Sequence, residues 1–245
     1  MDLGRFRELL RWRGPWIVVV LAVREILKPL VYWHVWDIFG TDISQRVPQP
    51  YAKDEVKVKI YAPDDSLVIL QEQISSLGEL EAAEVGRRFA RGDWIAIAFL
   101  KEQPVGYMWI ALSSGLELAF GTYWIVRSRE AVKYGSFVLP AFRGLGIHSC
   151  LNSGVCSYLC ERGFIRTLSS VSILNTQSMS LPKHNKTTRA MTVLLAKFRF
   201  PSFTLRKSFG APLSSRFSWS GLPSSSAESR GTSQTPDCGS AALRE

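Results

Sequence analysis

The stretch from Val132 to Gly163 constrains the fold more than any other part of the chain. A strand over about Val132–Leu139 is ended by Pro140, a turn carrying two glycines follows as Arg143-Gly144-Leu145-Gly146, and a helical stretch runs from Ile147 to about Arg162, where Gly163 stops it. Proline ends a strand because it cannot donate to a ladder, and glycine accepts the positive φ that a tight reversal into a helix requires. The centre of the chain is therefore a strand, a turn and a helix in direct succession, a unit of layered α/β domains.

That unit carries a chemistry. A helix begins with backbone N–H groups unpaired and with partial positive charge, and glycines let a ligand approach the chain closely, so the turn is suited to hold a pyrophosphate. Arg143 adds a fixed charge and donors that match phosphate oxygens. The plain alternative is a tight turn with no ligand.

The surrounding pattern alternates strands and helices. Val56–Tyr61 changes between apolar and polar with period two, as a half-buried strand does. Asp64 or Asp65 caps a helical stretch that continues through Leu77–Ala90. Trp94–Leu100 is long enough for a strand and too short for a helix, and the turn Lys101–Pro104 folds it back onto Val105–Leu112 as a hairpin. Phe164–Leu174 contains a further strand, Asn175–Ser178 reads as the cap of another helix, and Met191–Phe200 with Ser202–Ser208, divided by Pro201, closes as a last hairpin.

A chain of 245 residues, 46% of them hydrophobic, suffices for one domain with extensions. We expect an aromatic and helical extension over residues 1–52, an α/β domain over 53–209 and a disordered serine-rich tail over 210–245, the polar connection Gly40–Pro50 marking the first boundary. In Met1–Arg13 the residues Leu3, Phe6, Leu9 and Leu10 share one helical side among four arginines, which suits a helix docked on its own domain or one lying at a membrane surface. Trp16–Val23 is strongly apolar but is closed off by Arg24, Glu25 and Lys28, far short of the ~20 residues that cross a bilayer.

The net charge of +9 belongs to the C-terminal third: Arg162–Ala227 contains ten Lys or Arg and no Asp or Glu. Such a field attracts polyanions, with an anionic membrane or a phosphate-rich cofactor ahead of nucleic acid, for which no reading motif is present. Cys150, Cys156 and Cys160 suit one side of a helix and packing, without a CxxC pair, and the expected compartment is the reducing cytoplasm. His34, His148 and His184 are too scattered for a metal cluster, so no metal is expected.

The run Phe137-Val138-Leu139-Pro140-Ala141-Phe142-Arg143-Gly144-Leu145-Gly146-Ile147 resembles the pyrophosphate-binding motif of the GNAT N-acetyltransferases, written Arg/Gln-x-x-Gly-x-Gly/Ala, with Arg143 and Gly146 at its first and fourth positions. The helix to Arg162, the strand after it and Asn175-Thr176-Gln177-Ser178 extend the resemblance over about residues 57–200. It implies a mixed α/β, mostly antiparallel central sheet flanked by helices, and transfer of an acyl group from acetyl-CoA to a primary amine on a small molecule or peptide. The implied cofactor contacts are Val138, Leu139, Arg143, Gly144, Leu145, Gly146, Ile147, His148 and Asn175, with the pantetheine arm along Ser136–Leu139 and the N–H of Val138 or Leu139 polarising the thioester carbonyl.

His148 stands where the motif has Gly or Ala, and Pro182 stands near the place of the tyrosine that serves the family as general acid. Glu117 and Glu130 are the candidate bases and Tyr134 a candidate acid, each with the plain alternative of an ordinary wall residue. Tyr107, Trp109, Phe120, Tyr123 and Trp124 line an acceptor cleft or form core. Two other functions stay open: a non-catalytic acyl-CoA-binding module, and a peripheral membrane protein anchored through Met1–Trp36.

Overall fold

The computed structural model describes residues 15–44, 55–63, 74, 77, 82–113, 115–175, 188–199, 203–210 and 217–218. Eight strands form one sheet: β1 (Val31–Asp42), β2 (Val56–Tyr61), β3 (Trp94–Leu100), β4 (Gln103–Ala111), β7 (Glu130–Val138), β8 (Arg166–Ser172), β9 (Thr188–Phe198) and β10 (Phe203–Gly210), in the order β10-β9-β1-β8-β7-β4-β3-β2. A second sheet of three short strands joins β5 (Glu117–Ala119), β6 (Thr122–Trp124) and β11 (Phe217–Ser218). Three helices are described: α1 (Trp16–Leu27), α2 (Ala82–Ala90) and α3 (Ile147–Glu161). All pairings in the large sheet are antiparallel except β7 with β8, which are parallel because α3 crosses between them.

The strands are assembled by burial. β3 and β4 are apolar on both faces and both faces are covered. Ala96, Ala98, Met108, Ile110 and Ala131 meet Ile147, Leu151, Val155 and Leu159, a stripe of α3 spaced every four residues. The small alanines let the helix lie close to the sheet, and a Cβ on Gly154 would stand 3.0 Å from Val58. Ile95, Ile97 and Trp109 on the opposite face receive Val85 and Phe89 from α2. Each such aliphatic side chain contributes about 1.5–3 kcal/mol on burial. Cys150 and Cys156 are buried within α3 and form no disulfide, while Cys238 lies outside the described residues.

β1 corrects the expected domain organisation. Val31–Asp42 is no part of an appendage: it pairs with β8 on one side and β9 on the other, and Ile38 is buried with Val132, Leu168 and Met191. Its aromatic part, Tyr32–Trp36, is exposed or half-buried, while Asp37–Phe39 is buried. The hairpin Met191–Ser208 forms as β9 and β10. Within the expected tail, Phe217–Ser218 pairs with Trp124 and Tyr123 of β6, which contradicts disorder there. The rest of the tail, Met1–Arg13 and the helix expected after Asn175 lie outside the described residues. No described helix is long and apolar enough to cross a membrane.

Candidate acyl-CoA site

β7 and β8 pair only from Glu130↔Arg166 to Lys133↔Ser169. Both strands then go on, each held from its outer side. β7 stays on β4 as far as Gly106↔Val138, and β8 stays on β1 as far as Trp36↔Ser172. Two strands that share a ladder at one end and are pulled to opposite neighbours at the other must open a wedge-shaped gap.

A bulge shapes the β7 wall of this gap. Between the partners Trp109↔Tyr134 and Tyr107↔Phe137, two residues of β7, Gly135 and Ser136, stand against one of β4, Met108. Gly135 takes up the extra length with φ 52°, in the left-handed region, and Gly135 and Ser136 are exposed.

The hydrogen-bond phase of the ladder decides which backbone groups face the gap. The N–H of Leu139 donates to Val105 O at 3.0 Å, which makes Gly106 and Val138 a non-hydrogen-bonded pair. The N–H and C=O of Val138 therefore point away from β4, toward the gap. Arg143 reaches the same edge, its Nε donating to Val138 O at 3.1 Å. Of the two N–H groups expected to polarise a carbonyl, that of Leu139 is thus used within the sheet and that of Val138 is aimed correctly.

The turn beyond Val138 has the geometry of an anion cradle. After a 3-10 turn at Pro140–Phe142, Gly144 and Gly146 adopt φ 79° and 80°, and Gly146 caps α3. The first bond of α3 runs from Cys150 N–H to Gly146 O, so the N–H groups of Ile147, His148 and Ser149 have no acceptor within the helix. No atom lies within 4 Å of a Cβ built on Gly144 or Gly146, which leaves room for a phosphate against the backbone. Arg143 is exposed beside it, with four of its five donors not engaged by Val138. Leu145 is exposed and the Ile147 side chain is core.

His148 is held neutral. Burial first, and the nearby Lys133 second, push its imidazole down to about 4, and its Nδ1 is sealed inside without a hydrogen-bond partner. It therefore adds no charge to the cradle at neutral pH. Below it lies a group that the sequence did not reveal: Lys133 Nζ is buried, donates to Asn152 Oδ1 at 2.6 Å and stands 3.7 Å from Cys156 Sγ. His148, Asn152 and Cys156 follow at four-residue spacing on one side of α3, a pattern the sequence does carry.

The candidate acid and bases are not brought together. Tyr134 ends the tightly paired part of β7, and its hydroxyl donates to Asp93 Oδ2 while accepting from Arg91 Nη2 at 2.8 Å. Burial, then the Asp93 carboxylate, raise its pKa well above the usual phenol range, so its proton is poorly placed to be given to a thiolate. Asp93, between α2 and β3, is fully buried and ion-paired with Arg91. Glu130 lies at the closed end of the ladder, paired with Arg166 at 3.5 Å, eight residues or roughly 26 Å along the strand from Val138. Glu117 belongs to the small sheet, where it is exposed and accepts from Gly121 N–H at 2.8 Å. Asn175 is exposed just past the end of β8, its N–H bonded to Ser172 O. Tyr107, Trp109 and Trp124 are core, with Phe120 and Tyr123 half-buried. Among the described residues no group of three metal-ligating side chains converges.

Neither protein-family models nor curated proteins match the sequence. Solved structures do match in shape. The tandem GNAT protein of the clavulanic acid biosynthesis pathway, solved without acetyl-CoA, has 12% identity and a TM-score of 0.51 over 75% of this chain and 59% of its own. A GCN5-related N-acetyltransferase from Kribbella flavida has 12% identity and a TM-score of 0.45 over 82% and 67%. A conserved protein of unknown function from Staphylococcus epidermidis has 12% identity and a TM-score of 0.45 over 71% and 65%. This chain thus spans about three fifths of the tandem protein's length. At such identities the likeness establishes the fold: an α/β sheet of the GNAT, acyl-CoA N-acyltransferase, type.

Proposed function

We propose that this chain is an N-acyltransferase that takes an acetyl or other acyl group from acetyl-CoA and passes it to a primary amine of a small molecule or peptide. The observation that carries the reading is the gap between β7 and β8, which opens past Lys133 and Ser169 and leads directly into the glycine turn. The residues fit the cofactor as follows. Arg143 and the N–H groups of Ile147, His148 and Ser149 hold the pyrophosphate. Ser136–Leu139 offers an extended edge to the pantetheine arm, and the Val138 N–H hydrogen-bonds the thioester carbonyl oxygen as negative charge builds on it. The amine nitrogen attacks that carbonyl carbon, the C–S bond breaks and the thiolate departs with its electron pair, while the amine's surplus proton passes to a base. Glu117 remains the candidate base, and the engagement of Tyr134 with Asp93 leaves solvent to protonate the thiolate.

A second reading, a module that binds acyl-CoA without turnover, is favoured by one observation: the Glu130 carboxylate and the Tyr134 hydroxyl are both held by neighbours away from the gap. Thiol release from acetyl-CoA across a panel of amino sugars, amino acids, polyamines and peptides separates the two. Amine-dependent release supports the transferase. Binding without release on any of these amines supports the module, and absence of binding contradicts both.

A further inference from the structure

α1 is an apolar helix turned outward. Val19, Val23 and Ile26, at i, i+4 and i+7, form one stripe, and they are 63%, 42% and 73% exposed, with Leu30 just beyond at 57%. Glu25 and Lys28 lie on the other side and pair at 3.5 Å. An amphipathic helix ordinarily buries such a stripe in its own core, so a stripe left in water marks a surface for something apolar.

The charge beside it says what. The end of β9 is tied to the end of this helix by Arg199 N–H donating to Leu30 O at 2.9 Å, and the Arg199 guanidinium lies 4.8 Å from the ring of Tyr32. Lys197 and Arg199 are exposed at this corner, Lys207 is exposed on the other face of the neighbouring edge strand β10, and no Asp or Glu occurs anywhere between Arg162 and Ala227. An apolar stripe on a helix tied to strands that carry cations and no Asp or Glu of their own, with the half-exposed Tyr32 at their junction, matches an acyl layer under anionic headgroups. At twelve residues, about 18 Å, the helix is too short to span a bilayer and suited to lie in its surface.

We propose that α1 and the adjoining β9–β10 corner dock this protein on an anionic lipid bilayer, the Val19–Val23–Ile26 stripe entering the acyl region. The expectation from sequence gave this role to Met1–Trp36 as a detachable anchor; here α1 carries it, and β1 beyond it is structural.

The test is flotation of the full chain with vesicles of phosphatidylcholine alone or mixed with phosphatidylglycerol, alongside V19D/I26D and K197Q/R199Q/K207Q, with light scattering to read self-association. Circular dichroism checks that each variant is folded. The proposal expects binding to the anionic vesicles, weakened at least tenfold by V19D/I26D, and weakened by high salt, by neutral vesicles and by the triple substitution. No flotation of the full chain, or equal flotation of V19D/I26D, overturns it. So does a full chain that self-associates without floating and becomes monomeric on V19D/I26D, which assigns the stripe to a second copy.

Discussion

Lys133 and Ser169 are the last partners of the parallel β7–β8 ladder, and beyond them the two strands are held by β4 and β1 instead of by each other. The opening between them follows from this exchange of partners. It exposes one edge of β7 to a ligand while the other edge stays in the sheet, and neighbouring residues there have opposite duties.

Val138 and Leu139 make that contrast measurable. Val138→Pro removes an N–H aimed at the gap, and Leu139→Pro removes one bonded to Val105 at a position whose φ of −49° proline accepts. With an accepted amine in hand, Val138→Pro is expected to lower turnover by about 10²–10³-fold. Leu139→Pro is expected to cost about 1 kcal/mol of stability in urea unfolding while keeping most of the turnover.

The buried Lys133–Asn152 contact predicts a strong non-additivity. Asn152→Ala leaves the lysine ammonium without its 2.6 Å acceptor and is expected to destabilise by about 1–3 kcal/mol. Lys133→Met combined with Asn152→Ala removes both polar groups and is expected to restore most of that loss, as a double-mutant cycle with the two single variants in urea reads directly.

His148 gives the fold a dependence on acidity. Its pKa falls from 6.5 to about 4 on folding, so the folded state disfavours its protonation. The associated stability is complete above pH ~6.5 and is lost as pH falls toward 4, up to about 3 kcal/mol in all. His148→Gln is expected to remove this part of the decline, which urea unfolding at pH 7, 5.5 and 4 measures. Parallel curves for the two proteins would contradict the assignment.

How much of this was legible in the sequence differs from element to element. The β3–β4 hairpin, the strand into Pro140, the glycine turn and α3 were all readable, because period-two and period-four apolar patterns and the Pro and Gly stops are local signals. The place of β1 was not, since its pairing with β8 and β9 spans more than a hundred residues and its aromatic sequence gives no hint of register. In the candidate site, Arg143 and Gly146 stand out in the sequence by their turn. Lys133, Asp93 and the competing duties of Val138 and Leu139 depend on sheet register, which no local pattern encodes.

The place of β1 predicts the outcome of truncation. A chain beginning at Pro29 keeps β1 and is expected to unfold cooperatively. One beginning at Lys53 loses the strand between β8 and β9, leaves β9–β10 as a lone hairpin and is expected to give no cooperative transition in thermal melting.

The most direct test of the account is calorimetric binding of acetyl-CoA by the parent protein and by Arg143→Glu, a charge reversal at an exposed position that leaves the core untouched. The account predicts binding by the parent and a loss of at least about tenfold, or ~1.4 kcal/mol, in a variant with the same melting temperature. No binding by the parent, or equal binding by the two, would contradict it.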